Sequence, residues 1–290
     1  MVNIVKAIQQ NTFRSILKII YYKIFPNRIP VAQPPNIQNF KIYHKLLVGK
    51  KGLEIGGPSD IFRRKNELPI YPIIKQLDGC NFSAKTVWEG EIKQGHTYLY
   101  YNKNKPGYQF ICEASELSTI PSETYDFVLS SHSIEHIANP LKAITNWLRA
   151  LKEGGALLMV VPNKEYTFDH KRPVTTLHHL IEDFNNNVDE HDLTHLPEIL
   201  QLHDLARDPQ AGSFSNFEKR SYQNFENRCL HHHVFDAGLV IDLYSYCNIQ
   251  IKAMDLVKPC HIIVIGIKQK NKADNSPFLA KYQTYNPVKE

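Results

Sequence analysis

The sequence predicts an α/β protein built on a doubly wound, mostly parallel sheet of seven strands, with a helical insertion and an N-terminal helical extension. Three observations carry this. Short apolar runs alternate with helical stretches. Two of the runs, Phe127-Val128-Leu129 and Leu157 to Val161, are continuous rather than alternating, as in strands covered on both faces. The segment Gly52 to Ser59 places an apolar run ending in Glu54 directly before Gly56 and Gly57, the pattern of a buried strand entering a tight ligand-binding turn.

Taken in order, residues 1–47 read as a basic amphipathic helix followed by a Pro-rich linker. Phe13, Ile16, Leu17, Ile20 and Ile24 recur at helical spacing with Arg14, Lys18 and Lys23 between them, and Pro26, Pro30, Pro34 and Pro35 follow. Phe40 to Leu47 leads into a domain spanning 48–270. Strands are expected at 52–55, 69–77, 109–113, 125–130, 156–161, 248–254 and 261–268. The clearest helix takes Asn139 as N-cap and Pro140 as its first residue, runs through Leu141, Ile144, Leu148 and Leu151, and stops at Gly154. Residues 164–230 are too many for a simple connection and read as a helical lid, with Ser215 and Glu218 as a capping box. Residues 271–290 lack an apolar period and read as a mobile tail.

Composition narrows the function. With 42% hydrophobic and 22% charged residues the chain is of ordinary globular type. Its five cysteines include no CxxC pair, which argues against a disulfide scaffold or zinc knuckle and fits a reducing, cytoplasmic setting. The net charge of +5 is unevenly placed: residues 1–53 hold nine Lys or Arg and no acid, leaving 25 bases against 29 acids in the rest. No broad basic face is therefore expected on the domain, which argues against DNA or RNA as partner. The basic segment 4–25 suits docking on its own domain or a partner, with peripheral contact with an anionic membrane face as the alternative. No apolar stretch reaches the length of a membrane span. Oligomeric state is not legible.

In an open α/β sheet ligands bind beyond the carboxyl ends of the strands, where strand order reverses. That edge should carry Glu54, Gly56, Asp78, Glu113 and Ser131 to His136. Paired glycines let a ligand approach the main chain, and a carboxylate at the strand tip accepts hydrogen bonds from an amine or hydroxyls. In a helical turn His132, Glu135 and His136 would face one way, as catalytic groups or as braces for the next helix.

With that turn, the run Tyr125-Asp126-Phe127-Val128-Leu129-Ser130-Ser131-His132-Ser133-Ile134-Glu135-His136, then Asn139-Pro140, Leu151-Lys152-Glu153-Gly154-Gly155 and Val161-Pro162-Asn163, resembles class I S-adenosylmethionine (SAM)-dependent methyltransferases of type 11, with their Rossmann-like fold. The resemblance covers about 50–163 and resumes at His231 to Lys268. It implies that Glu54, Gly56 and Gly57 hold the amino acid part of SAM, Asp78 the ribose, and Glu113 with Ala114 the adenine. Ser131 and His132 would lie beside the reacting centre. Pro58 departs from the family's usual glycine, and its fixed backbone angle suits a helix start.

Two related groups, the quinone-type O-methyltransferases and small-RNA 2′-O-methyltransferases, share the Ile-Glu-His turn. The second group's metal site implies a divalent ion on His132, Glu135, His136 and His233, the same four serving as catalytic residues. The RNA enzymes, however, carry an acid at the position of His132. Nine of the 14 histidines lie between 170 and 233, a donor-rich stretch that suits a sugar-like acceptor. The segment Thr167 to Pro173 resembles methyltransferases of bacterial glycan assembly, which makes Asp169, His170 and Arg172 candidate substrate ligands. The expected activity is methyl transfer to a hydroxyl, or less favourably an amine, of a sugar or similar polar molecule. The competing readings are a non-catalytic cofactor-binding partner of glycosyltransferases and a metal-assisted enzyme of the quinone or RNA type. A nicotinamide oxidoreductase would share the sheet but lacks its GxGxxG fingerprint here.

Overall fold

The computed structural model describes residues 33–101 and 106–282. The proposed N-terminal helix at 4–25 and the end of the tail lie outside these. A compact unit begins at Pro34, so the domain starts before residue 48. Helix α1 (Phe40–Leu47) belongs to it: Tyr43 is fully buried and donates its hydroxyl to Asp255 at 2.8 Å.

The sheet has eight strands: β1 (Lys51–Ile55), β2 (Gln76–Asn81), β5 (Gly95–Tyr98), β6 (Gly107–Ile111), β7 (Tyr125–Ser131), β8 (Leu151–Pro162), β9 (Ile249–Val257) and β10 (His261–Lys268). Their order is β5-β6-β2-β1-β7-β8-β10-β9, while the short strands β3 (Lys85–Thr86) and β4 (Gly90–Glu91) pair separately. The middle five are parallel. Strand β10 is antiparallel to both β8 and β9, and β5 is antiparallel to β6. The chain leaves β1 in one direction for β2 and β6 and returns on its other side as β7, so the order reverses between β1 and β7. A crevice opens there.

Four expectations are corrected. The second strand is not 69–77: Ile70 and Tyr71 are buried in the turns before it, and pairing begins at Gln76. Helix α2 (Pro140–Ala150) starts as expected, with the Asn139 side chain accepting from the Lys142 N–H at 3.0 Å, but stops at Ala150. Gly154 is not its terminator; it adopts φ +71° inside β8, where the register against β7 shifts. Ser215 is not a cap, since Ser213 caps the helix Phe214–Tyr222 and Ser215 lies within it. The tail is ordered as far as the last helix, α8 (Ser276–Tyr282), whose Phe278, Leu279 and Tyr282 pack on the main core.

The insertion is helical as expected, with α3 (Leu177–Asn185), α4 (Leu196–Leu202), α5 (Phe214–Tyr222) and α6 (Asn224–Asn227). Its own apolar cluster is small, built on Leu196, Ile199, Ala211, Phe217 and Leu230. Helix α7 (Ala237–Tyr246) then returns the chain to the sheet. No helix among the described residues is long and apolar enough to cross a membrane.

Candidate active site

A cleft of about 860 Å³ lies over the carboxyl ends of β1, β2 and β7. Its floor includes Gly56, Asn81, Ala114, Ser131 and His132. The segment 58–67 forms one wall, Trp88 and Glu89 another, and Glu190 with Arg228 of the insertion closes over from the far side.

The turn after β1 is shaped by contact rather than by free glycine chemistry alone. Gly56 sits at φ +75°, and a Cβ there would lie 2.6 Å from the Ser133 hydroxyl. Gly57 faces inward, where a Cβ would fall 2.3 Å from both the Glu54 carboxylate carbon and the Tyr98 hydroxyl. Glu54 is therefore not the direct ligand contact expected of it. It is fully buried and accepts hydrogen bonds from Tyr98 (2.6 Å), Tyr71 (2.8 Å) and the Ser59 N–H (3.0 Å), bracing the turn from below. Burial raises its pKa above the usual carboxylate range, against the lowering effect of those hydrogen bonds.

Asp78 is also displaced from its expected role. Because β2 begins later than read from sequence, Asp78 falls mid-strand, engaged by Lys51 (3.0 Å), the Tyr108 N–H (2.9 Å) and the Tyr125 hydroxyl (2.9 Å). Asn81 takes the strand-end position, lines the cleft and donates to the Gly57 carbonyl at 3.1 Å. Glu113 and Ala114 do line the cleft. Glu113 is held by Arg228 at 2.7 Å, and Arg228 also reaches Glu190 at 3.1 Å. Burial pushes the Glu190 carboxyl up to about 7, with Arg228 opposing. The guanidinium lies 4.8 Å over the Phe82 ring. Nothing in the sequence marked Arg228, whose partner Glu113 is 115 residues away.

At the end of β7, His132 adopts φ +48°, in the left-handed region that non-glycine residues enter uncommonly and histidine more readily than most. Its Nε2 lies 2.9 Å from His261 Nδ1, and its Nδ1 lies 3.5 Å from Glu135 Oε1. Glu135 is fully buried, with neither carboxylate oxygen in a hydrogen bond of ordinary geometry. Burial raises its pKa, but His132, His136 and His231 around it prevail, and the carboxyl is held below its usual range. His136 also lines the cleft. Its Nδ1 lies 3.0 Å from the Leu230 carbonyl and so donates to it, leaving Nε2 unprotonated; burial and the nearby His231 lower its pKa to about 4.

The predicted metal set does not assemble. His132, Glu135 and His136 share one turn, but His233 is drawn to the Ala138 carbonyl (3.1 Å) and Asp183 (3.7 Å), and His231 stands beside Glu135 and His136 in its place. The substrate set is corrected as well: Asp169, His170 and Arg172 do not line the cleft. Arg172 is 1% exposed and binds Asp169 (2.9 Å), Glu198 (2.8 Å) and the His231 carbonyl (2.8 Å), while His170 pairs with Asp204 at 2.8 Å.

A family model described as a methyltransferase domain matches residues 37–214, more than half of the chain. The chain belongs to this methyltransferase family. It is a SAM-dependent methyltransferase. No curated protein matches the methyltransferase. Similar solved structures include a SAM-dependent methyltransferase from Aquifex aeolicus (13% identity, 81% of this chain and 94% of that one, TM-score 0.41). Another is a SAM-dependent methyltransferase from Mesorhizobium loti (10%, 79% and 95%, TM-score 0.47). A third is a possible histamine N-methyltransferase from Thermotoga maritima (16%, 88% and 97%, TM-score 0.40). Likenesses this distant say nothing about the methyltransferase's acceptor. The cleft fits a SAM-sized molecule: Gly56 offers bare main chain, Asn81 and Glu113 offer polar groups, and Ile55, Phe82, Ala114 and Ile137 offer apolar surface.

Proposed function

We propose that this methyltransferase acts on a hydroxyl of a sugar or similarly polar small molecule, with Gly56, Asn81, Glu113, Ala114 and Ser131 holding SAM. Bound SAM supplies an electrophilic methyl group. The protein has then to align the acceptor, exclude bulk water and take up one proton. The row His261, His132, Glu135 suits proton uptake, because two imidazoles share a proton at 2.9 Å and a buried carboxylate stands behind them at 3.5 Å. That row at the cleft is the single observation carrying the assignment. A proton arriving on the imidazoles is compensated by Glu135, which its surroundings keep ionised.

The acceptor class rests on the cleft's rim. Asp60, Arg63, Asn66, Glu67 and Glu89 offer mixed donors and acceptors, beside a Trp88 ring that is 54% exposed. Hydrogen-bonding groups around an aromatic face suit a polyhydroxylated ring. The test is methyl transfer from labelled SAM to a panel of nucleotide sugars and lipid-linked oligosaccharides, with wild type and His132→Ala. Transfer to a sugar hydroxyl, lost about 100-fold or more in the variant at unchanged SAM affinity, is expected. Transfer confined to amines, or full turnover in the variant, overturns the reading.

A further inference from the structure

Away from the cleft, four side chains from three separate parts of the chain converge. His179 and Asp183 project from one face of α3 at i and i+4, His195 precedes α4, and His233 lies on the irregular segment entering α7. One potential ligand atom from each lies within 4.8 Å of all the others. His179 Nε2 is 3.0 Å from His195 Nε2 and 3.4 Å from Asp183 Oδ2.

Two features show a site built for something the protein's own groups do not supply. Asp183 Oδ2 is buried without a hydrogen-bond partner, and so is His233 Nδ1. His233 Nε2 lies 3.1 Å from the Ala138 carbonyl, which can only accept, so Nε2 carries the proton and the Nδ1 lone pair is left buried and unmatched. The ring meets the cluster through that same Nε2, 3.7 Å from Asp183 Oδ2, so metal binding would move the ring proton to Nδ1 and exchange the Ala138 carbonyl for the ion. His179 and His195 present two Nε2 atoms to each other, where only one proton fits between them. Asn139, the N-cap of α2, donates to the Asp183 backbone carbonyl at 3.0 Å and fixes the end of α3 against the domain.

We propose that His179, Asp183, His195 and His233 form a zinc site that fastens the helical insertion to the methyltransferase domain. Three imidazoles and one carboxylate are a normal tetrahedral zinc set. With bonds of about 2.0–2.1 Å, neighbouring ligand atoms stand roughly 3.4 Å apart. The observed 3.0 and 3.4 Å are close to this, and the remaining pairs, all within 4.8 Å, need to close by at most about 1.4 Å. The site is closed by protein ligands and does not touch the cleft, so its role is structural: it joins α3, the start of α4 and the approach to α7. The 36% exposure of the His179 side chain leaves a way in for the ion.

The test uses the full chain. Metal analysis of the purified protein should find about one zinc per chain. Cobalt(II) added to chelator-treated protein should give the strong visible bands of a tetrahedral ion, and zinc should raise Tm by about 5 °C or more. Asp183→Ala and His195→Ala should lose both signals. His191→Ala, on an exposed imidazole stacked on Phe225, should keep them. Should either alanine variant fail to fold, His195→Cys serves instead, because a thiolate on cobalt(II) adds a sulfur-to-metal charge-transfer band that places residue 195 at the ion. Folded wild type that takes up neither ion overturns the proposal. So does metal that persists in both alanine variants, or that is lost instead in His136→Ala, which would put it beside Glu135 and His231.

Discussion

Replacing Arg172 separates a structural strut from a substrate ligand. Its guanidinium is 1% exposed and is shared among Asp169, Glu198 and the carbonyls of His231 and His232. Arg172→Met keeps the length and removes the charge, leaving a 3%-exposed Asp169 with one of its two basic partners gone. Removing one member of a buried pair costs about 3–5 kcal/mol. His231 stays at 2.5 Å from Asp169 and offsets part of this. Its pKa is lowered by burial but raised more strongly by that carboxylate, so the net shift is upward, toward the charged form. A loss of about 3 kcal/mol is therefore expected, a large share of the roughly 5–15 kcal/mol that holds a typical domain. Urea unfolding at neutral pH measures it directly. His170→Ala, which removes a hydrogen-bonded contact with the partly exposed Asp204, should leave the urea midpoint nearly unchanged in the same assay. If Arg172→Met changes stability by less than about 1 kcal/mol while weakening acceptor binding, the residue is no strut and belongs to the substrate.

Three further outcomes follow from the same geometry. Gly57→Ala drives a methyl group into the Glu54 carboxylate and Tyr98 hydroxyl, each 2.3 Å from the new Cβ; calorimetry should show SAM affinity down at least about tenfold, with about 1–3 kcal/mol of stability lost. Glu135→Gln removes the charge behind His132 at nearly constant shape, and turnover should fall by about 100-fold with SAM binding within threefold, whereas unchanged turnover would dismiss the proton-uptake row. Burial holds His136 and His261 at about 4, below the 6.5 of a free histidine, so folding favours their neutral forms. Their stabilising contribution is complete above pH 6.5 and is lost as pH falls toward 4, at no more than about 1.4 kcal/mol per pH unit for each ring. Asp169, held at about 2 by His231 and Arg172 against burial, adds nothing to that window; Glu190, raised to about 7 by burial, acts in the opposite sense and offsets about one ring, while His232, lowered to about 3 by burial, adds to the loss. The urea midpoint should thus fall between pH 7 and pH 5, and a flat profile would show that the rings are solvated.

What the sequence made legible was whatever depends on local period. Strand β10 lies where an apolar run put it, and Asn139-Pro140 starts α2 because side-chain capping and a missing N–H act within one turn. Errors arose where tertiary contact overrides pattern. Ile70 and Tyr71 look like strand residues but are buried as turns, which moved β2 and with it Asp78. Strand β5 has no apolar run and forms only because β6 offers an open edge. The run His231-His232-His233 has no internal signal to rank its members, and the fold sends them to Asp169, Asn224 and Ala138 respectively. Arg228 was invisible for the same reason, since its acids come from two distant segments.

These misplacements share a cause that bears on how the cleft is built. The insertion buries only a small apolar cluster of its own, so burial alone does not fix its orientation. Polar links do so instead: Arg228 ties it to Glu113 at the sheet edge, and Arg172 ties Asp169 and Glu198 to the backbone entering α7. Such links are directional and specify geometry more than they stabilise. The cost of misplacing one is a buried unpaired charge, which leaves few alternative positions for the wall that carries Glu190 and Arg228. The acceptor side of the cleft is therefore set by ion pairs, and the cofactor side by the close-packed turn over Glu54. A change of acceptor can proceed through the insertion without disturbing the turn, because the two are held by different forces.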